Sequence, residues 1–176
     1  PSRANKMHPN LHFDLLREQI SAAHELGIKT PVYLSAGFDE RIARVRPEWL
    51  LRNKDQTVAW TADFTTPGYH RFCYNTGYLD YLLDQVAEVC ANYDADEIFL
   101  DMVHIIPCYC SKCVQDMMAQ GMDPYNEENA YRFAYNTYIR YTKRVRETVD
   151  RYRPGLPVFH NAGHLPVGNR EYAYAN

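Results

Sequence analysis

At 176 residues, 46% of them hydrophobic and 23% charged, the chain is long enough for one domain with its own core. At a net charge of −3 nothing points to the basic face that nucleic acid requires, and no apolar run approaches the ~20 residues of a membrane span. With 10 Pro and 8 Gly the composition is neither collagen-like nor disordered, and its unusual counts are 15 Tyr and 5 Cys.

The first periodic stretch predicts a helix over 14–26, with Leu16, Ile20, Ala23 and His24 on one stripe and Gly27 as the C-terminal cap. Residues 28–35 read as a short buried strand that ends at Ala36-Gly37. An irregular stretch over 38–76 follows and holds both tryptophans, Trp49 and Trp60. Stretches this long are functional or disordered, and the aromatic content argues against disorder. Asp39 and Glu40 are read either as site groups or as the start of a helix, and Trp49 as a packing anchor. Leu79, Leu82, Leu83, Val86, Val89 and Cys90 then predict an amphipathic helix ending near Tyr93. A strand over 97–102 and a second irregular stretch carrying Cys108 to Cys113 come next. A helix over 127–152, stopped by Arg153-Pro154-Gly155, leads to a third strand over 156–160.

This order of helix, tight turn, apolar strand and long loop predicts an α/β fold with parallel strands joined by right-handed crossovers. Short turns enter the strands and long, decorated segments leave them, as where the C-terminal strand ends form a working face. A (β/α)8 barrel and an open doubly wound sheet both fit. No Gly-rich phosphate loop follows a strand, which lowers the nucleotide-binding version. The chain begins Pro1-Ser2-Arg3 without Met and stops at Tyr172-Ala173-Tyr174-Ala175-Asn176, so it reads as a piece of a longer protein.

Cys108-Tyr109-Cys110-Ser111-Lys112-Cys113 places three thiols within six residues. Structural zinc takes four tetrahedral thiolate or imidazole ligands, and such spacing lets a loop wrap the ion. Cys73, in a loop just ahead of a helix, is the expected fourth ligand, with His104 and His70 as alternatives. Cys90 lies on an apolar helix stripe and reads as a buried structural thiol. Loose thiols or a disulfide are the competing reading, and the odd cysteine count fits a complete internal disulfide framework poorly.

Asp101 follows Ile98-Phe99-Leu100 at the end of an apolar strand, where an ionised carboxylate is costly without a paired, hydrogen-bonded or catalytic role. His160-Asn161 occupies the corresponding end of the third strand, and Tyr33 and Ser35 that of the first. Three strand ends therefore converge polar side chains on one face, and Trp60, in a polar loop, reads equally as a packing anchor or as a sugar platform. A Ser-His-Asp hydrolase is excluded by the lack of a Gly-x-Ser-x-Gly elbow.

The stretch Phe72-Cys73-Tyr74-Asn75-Thr76-Gly77-Tyr78 resembles a motif that opens a helix in barrel glycosidases. With Pro107-Cys108-Tyr109-Cys110-Ser111-Lys112-Cys113 it is similar to the zinc-carrying arrangement of family 42 β-galactosidases, which are (β/α)8 barrels. A likeness over most of the chain, from Met7-His8-Pro9-Asn10-Leu11 to Asn161, is to the hypothetical glycosyl hydrolase barrel of family 151 α-L-fucosidases. It is carried by Gly27-Ile28-Lys29-Thr30-Pro31-Val32-Tyr33, Pro47-Glu48-Trp49-Leu50 and Ile98-Phe99-Leu100-Asp101. The β-galactosidases end their fourth strand in Asn-Glu, whereas this chain has Leu100-Asp101-Met102, so that acid/base assignment does not transfer.

The fucosidase resemblance implies residues 1–176 as a fragment of a single catalytic domain, a partial (β/α)8 TIM barrel of about three β/α units. It implies a retaining exo-acting α-L-fucosidase with Asp101 as nucleophile, an acid/base beyond Asn176, a fucosylated glycan or glycoside as substrate, sugar hydroxyls held by Tyr33, His104, His160 and Asn161, and Trp60 in substrate binding. Zinc on Cys73, Cys108, Cys110 and Cys113 would brace the loop after Asp101 without entering the chemistry. A homo-oligomer in the full-length form is expected, with no nucleic-acid or membrane partner, and reduced cysteines on zinc favour a bacterial cytoplasm. A β-galactosidase-like enzyme, a non-catalytic carbohydrate-binding barrel and a zinc-dependent interaction module are the alternatives.

Overall fold

The computed structural model describes residues 4, 8–60 and 68–161. The chain ends singled out above, 1–3 and 172–176, and Met7 lie outside the described residues. Among the described residues, five α-helices and three strands follow in the order α1 (Leu15–Glu25), β1 (Pro31–Ser35), α2 (Glu40–Val45), α3 (Tyr78–Asn92), β2 (Glu97–Asp101), α4 (Ser111–Ala119), α5 (Glu127–Tyr152) and β3 (Val158–Asn161). The three strands form one sheet in the order β1-β2-β3, with β2 and β3 parallel. The result is an α/β fold with a small parallel sheet. Among the described residues no helix is long and apolar enough to cross a membrane.

Two compact units share the chain, one drawn from 1–34, 80–101 and 143–176, the other from 35–79 and 102–142. In the first, the Asp14 carboxylate caps α1 by accepting the Arg17 backbone N–H at 3.2 Å. Gly27 ends the helix at φ +70°, with Gly27 N–H on the His24 carbonyl and Ile28 N–H on that of Ala23, both at 2.9 Å. This Schellman stop consumes Ile28, which is why β1 begins at Pro31 rather than at 28. Likewise Leu156 N–H closes the turn after α5 on the Arg153 carbonyl at 3.0 Å, so β3 begins two residues later than its apolar pattern suggests. The core of this unit includes Ile20, Val32, Leu82, Val86, Ile98, Leu100, Val145, Val149 and Val158, all almost wholly buried. Each such side chain stabilises the fold by about 1.5–3 kcal/mol relative to exposure.

The second unit lacks a sheet among its described residues and is organised by isolated antiparallel bridges, Leu50↔Phe72, Arg52↔Val58 and Trp60↔His70. Two helices form within stretches that the sequence reads as irregular, the first of them at the helix start offered as one reading of Asp39 and Glu40. Asp39 caps α2 by accepting the Ile42 N–H at 3.0 Å, which settles the role left open for that residue. The second is α4, which begins inside the cysteine run. Trp49 packs against Gly77, where a Cβ would sit 2.9 Å from the indole. Stacked rings fill the interior, with Tyr74 against Tyr141 at 4.5 Å and Phe72 against Tyr78 at 4.0 Å. The cysteines belong to a buried cluster with Leu51, Met117, Ala130 and Phe133.

Candidate active site and metal centre

Strand alternation builds the first site. Side chains of a strand point to opposite faces in turn. Val32, Ile98, Leu100, Val158 and His160 are buried, and the intervening Tyr33, Phe99, Asp101, Phe159 and Asn161 are not. The register pairs Asp101 with Asn161 and Leu100 with His160. Of the pair His160-Asn161, only Asn161 shares the face of Asp101.

On that face both oxygens of the Asp101 carboxylate are engaged. Tyr33 donates its hydroxyl to Oδ2 at 3.0 Å, and the Asn161 amide donates to Oδ1 at 2.8 Å. Residues from β1, β2 and β3 therefore meet at one carboxylate. The Tyr33 ring stacks on Phe99 at 6.1 Å, and Phe99 stacks on Phe159 at 5.0 Å. This aromatic row was not singled out in the sequence, although period-two reading of Tyr33, Phe99 and Phe159 marks it. Ser35 is occupied locally, donating to the Phe38 carbonyl at 2.8 Å and accepting the Phe38 N–H at 3.3 Å.

Two expected sugar contacts lie in the other unit. His104 is buried, with Nε2 3.0 Å from the Phe72 carbonyl and its ring stacked on Tyr74 at 4.9 Å. Burial holds its pKa down at about 4, so the ring is neutral at neutral pH. Trp60 is 40% exposed and meets the His70 ring edge-on at 4.4 Å. Glu40 fixes His70, accepting its backbone N–H at 2.7 Å and pairing with Nδ1 at 2.8 Å.

The second site is the cysteine cluster. Cys73 comes from the loop before α3, Cys108 and Cys110 from the loop after β2, and Cys113 from the first turn of α4. Their four buried sulfurs all lie within 4.8 Å of one another, and none forms a disulfide. Tetrahedral ligation at about 2.3 Å puts sulfurs about 3.8 Å apart, so the donor set fits a thiophilic ion after small adjustments. Polar hydrogens already point at the sulfurs. Asn75 donates its backbone N–H to Cys73 Sγ at 3.4 Å and its amide to Cys113 Sγ at 3.6 Å, while Cys110 N–H reaches Cys108 Sγ at 3.5 Å. Asn75 is itself held by Arg140 and by Asp116, whose carboxylate Lys112 pairs at 2.6 Å. Hydrogen bonds from the Cys108 thiol, then from Cys113 and Cys73, hold Cys110 far below the ordinary thiol range. Among the described residues His70 and His104 stand outside this cluster, and Cys73 completes it. Cys90 is a buried thiol of α3 in the other unit.

Comparison with known proteins gives a consistent picture. The family described as hypothetical glycosyl hydrolase 6 matches residues 2–102. The solved structure of α-L-fucosidase isoenzyme 2 from Paenibacillus thiaminolyticus is 49% identical, with a TM-score of 0.94 over 100% of this chain. The chain spans 27% of that enzyme's length. An α-galactosidase from Thermus thermophilus in complex with stachyose aligns over 86% of this chain and 28% of its own, at 17% identity and a TM-score of 0.54. An α-galactosidase from Lactobacillus brevis aligns over 84% of this chain and 18% of its own, at 15% identity and a TM-score of 0.57. These two likenesses are of fold alone. No curated protein matches the chain.

Proposed function

The chain belongs to the hypothetical glycosyl hydrolase 6 family, and from that premise we propose that it is part of a retaining, exo-acting α-L-fucosidase with Asp101 as nucleophile. The observation that carries the reading is 49% identity to an α-L-fucosidase along the entire chain. Long segments leave the strands at the end that carries Asp101, which supports about three β/α units of an eight-stranded barrel with its working face there.

In this mechanism one Asp101 oxygen bonds to the anomeric carbon as the bond from that carbon to the leaving oxygen breaks. The electron pair stays on the leaving oxygen, which takes a proton from a second carboxyl group about 5–5.5 Å from the first. Water then bonds to the anomeric carbon, gives its proton to the second carboxylate and releases Asp101. We assign the second carboxyl group to a strand outside these residues, since the chain spans 27% of its fucosidase relative. Trp60 offers an exposed sugar platform, whereas the burial of His104 and His160 suits them to bracing the protein.

The cysteine cluster is proposed to hold a structural zinc. Cys73, Cys108, Cys110 and Cys113 would hold the ion with four thiolates and leave no position for water, so it would tie loops together and take no part in hydrolysis. Asp101→Asn in the full-length enzyme tests the catalytic reading. Turnover of 4-nitrophenyl α-L-fucoside should drop by about three orders of magnitude or more while near-UV circular dichroism is kept. Near-normal hydrolysis would remove Asp101 from the mechanism.

A further inference from the structure

The sequence marks Tyr33 and Asn161 as contacts for sugar hydroxyls, but their hydrogen-bonding groups point at Asp101 instead. One donor reaches each carboxylate oxygen, from the strands on either side, at 3.0 Å and 2.8 Å. We infer that Tyr33 and Asn161 are positioning residues that fix the plane of the Asp101 carboxylate. The inference rests on the reading of Asp101 as nucleophile and goes beyond it, because it names what aims that group.

The chemistry favours this pair of partners. A carboxylate left to rotate about its χ2 bond presents its lone pairs over a broad range of angles. Two donors at its two oxygens restrict that rotation. Tyr33 and Asn161 are uncharged donors, so these two bonds orient the anion without themselves bringing a full positive charge to a group whose own charge must leave in the attack.

The supports are rigid as well. Asn161 is the register partner of Asp101 in the parallel ladder, so its backbone distance is set by strand pairing. The Tyr33 ring stacks on Phe99, and Phe99 on Phe159, which limits the swing of the hydroxyl. Groups held by packing on strands are placed more exactly than groups on loops.

Tyr33→Phe and Asn161→Ala in the full-length enzyme test the inference, with Asp101→Asn measured in parallel. Tyr33→Phe retains the ring stack and removes only the donor. For 4-nitrophenyl α-L-fucoside, kcat/KM reports formation of the glycosyl-enzyme, and each variant should lower it about 10- to 100-fold. The inhibition constant of free L-fucose, a ground-state ligand, should stay within about threefold of wild type. A wild-type kcat/KM in either variant overturns the inference. So does a larger rise in the L-fucose inhibition constant, which would return the residue to sugar binding. An inactive Asp101→Asn with an unaffected Tyr33→Phe removes the positioning role alone. An active Asp101→Asn removes the nucleophile on which it rests.

Discussion

His104 shows how burial alone can give one residue a measurable signature. Its ring is enclosed, faces the Phe72 carbonyl and titrates at about 4, against an ordinary histidine value of 6.5. Between those values the unfolded chain binds a proton that the folded protein refuses, so stability falls as pH falls from 6.5 to about 4 and levels off below it. The full effect is about 3 kcal/mol. Carboxylates act in a different window. Asp96, held below 3.8 by the Thr30 backbone N–H and then by His24, contributes stability that is lost only below that value. The Tm of the protein should therefore decline between pH 6.5 and 4, and His104→Gln should flatten that decline. An unchanged slope in the variant would assign it to another group.

At the scale of elements, the cysteines gather a unit that has no sheet among its described residues. A unit of this size buries little apolar surface, and small units depend on staples such as metal sites. The cluster links the loop ahead of α3, the loop after β2 and the start of α4. Purified full-length protein should contain about one zinc per chain by elemental analysis. Cys110→Ser should lower that content toward zero and lower Tm, whereas Cys90→Ala should leave zinc unchanged. Metal-free protein with four free thiols would end the zinc assignment. Backbone geometry at the adjoining loop is equally specific. Met102 takes φ +61° directly after Asp101, and a Cβ at Gly37 would overlap the Met102 carbonyl. Glycine at 37 thus permits a close approach of the segments that leave β1 and β2.

At the scale of the whole molecule, the proposed hydrolysis needs two carboxyl groups, and this chain spans 27% of the length of the fucosidase it resembles. Tyr33, at 55% exposure, and Phe159, at 46%, lie on the same sheet face as Asp101. The 176-residue chain alone should fail to hydrolyse 4-nitrophenyl α-L-fucoside, and the longer protein should turn it over. Hydrolysis by the short chain at the full-length rate would place both carboxyl groups within it.

The sequence by itself determined the alternation of helix, strand and long loop, and it marked Cys73, Cys108, Cys110 and Cys113 as a group. These are local properties: periodicity, caps such as Asp14 and Gly27, and ligand spacing, each readable within a few residues. It offered the start of α2 as one of two readings and left α4 unread, because helices of six and nine residues carry too little periodic signal and the cysteine run masked the start of the second. Tertiary structure alone decided which polar groups meet. His160 and Asn161 are adjacent in the chain, yet pleating sends them to opposite faces, and the strand register then delivers only Asn161 to Asp101. Tyr33 reaches the same carboxylate from 68 residues away. A shift of one residue in register exchanges the faces of a strand, so partners at a strand-end carboxylate are set by pairing between strands, which no local pattern encodes.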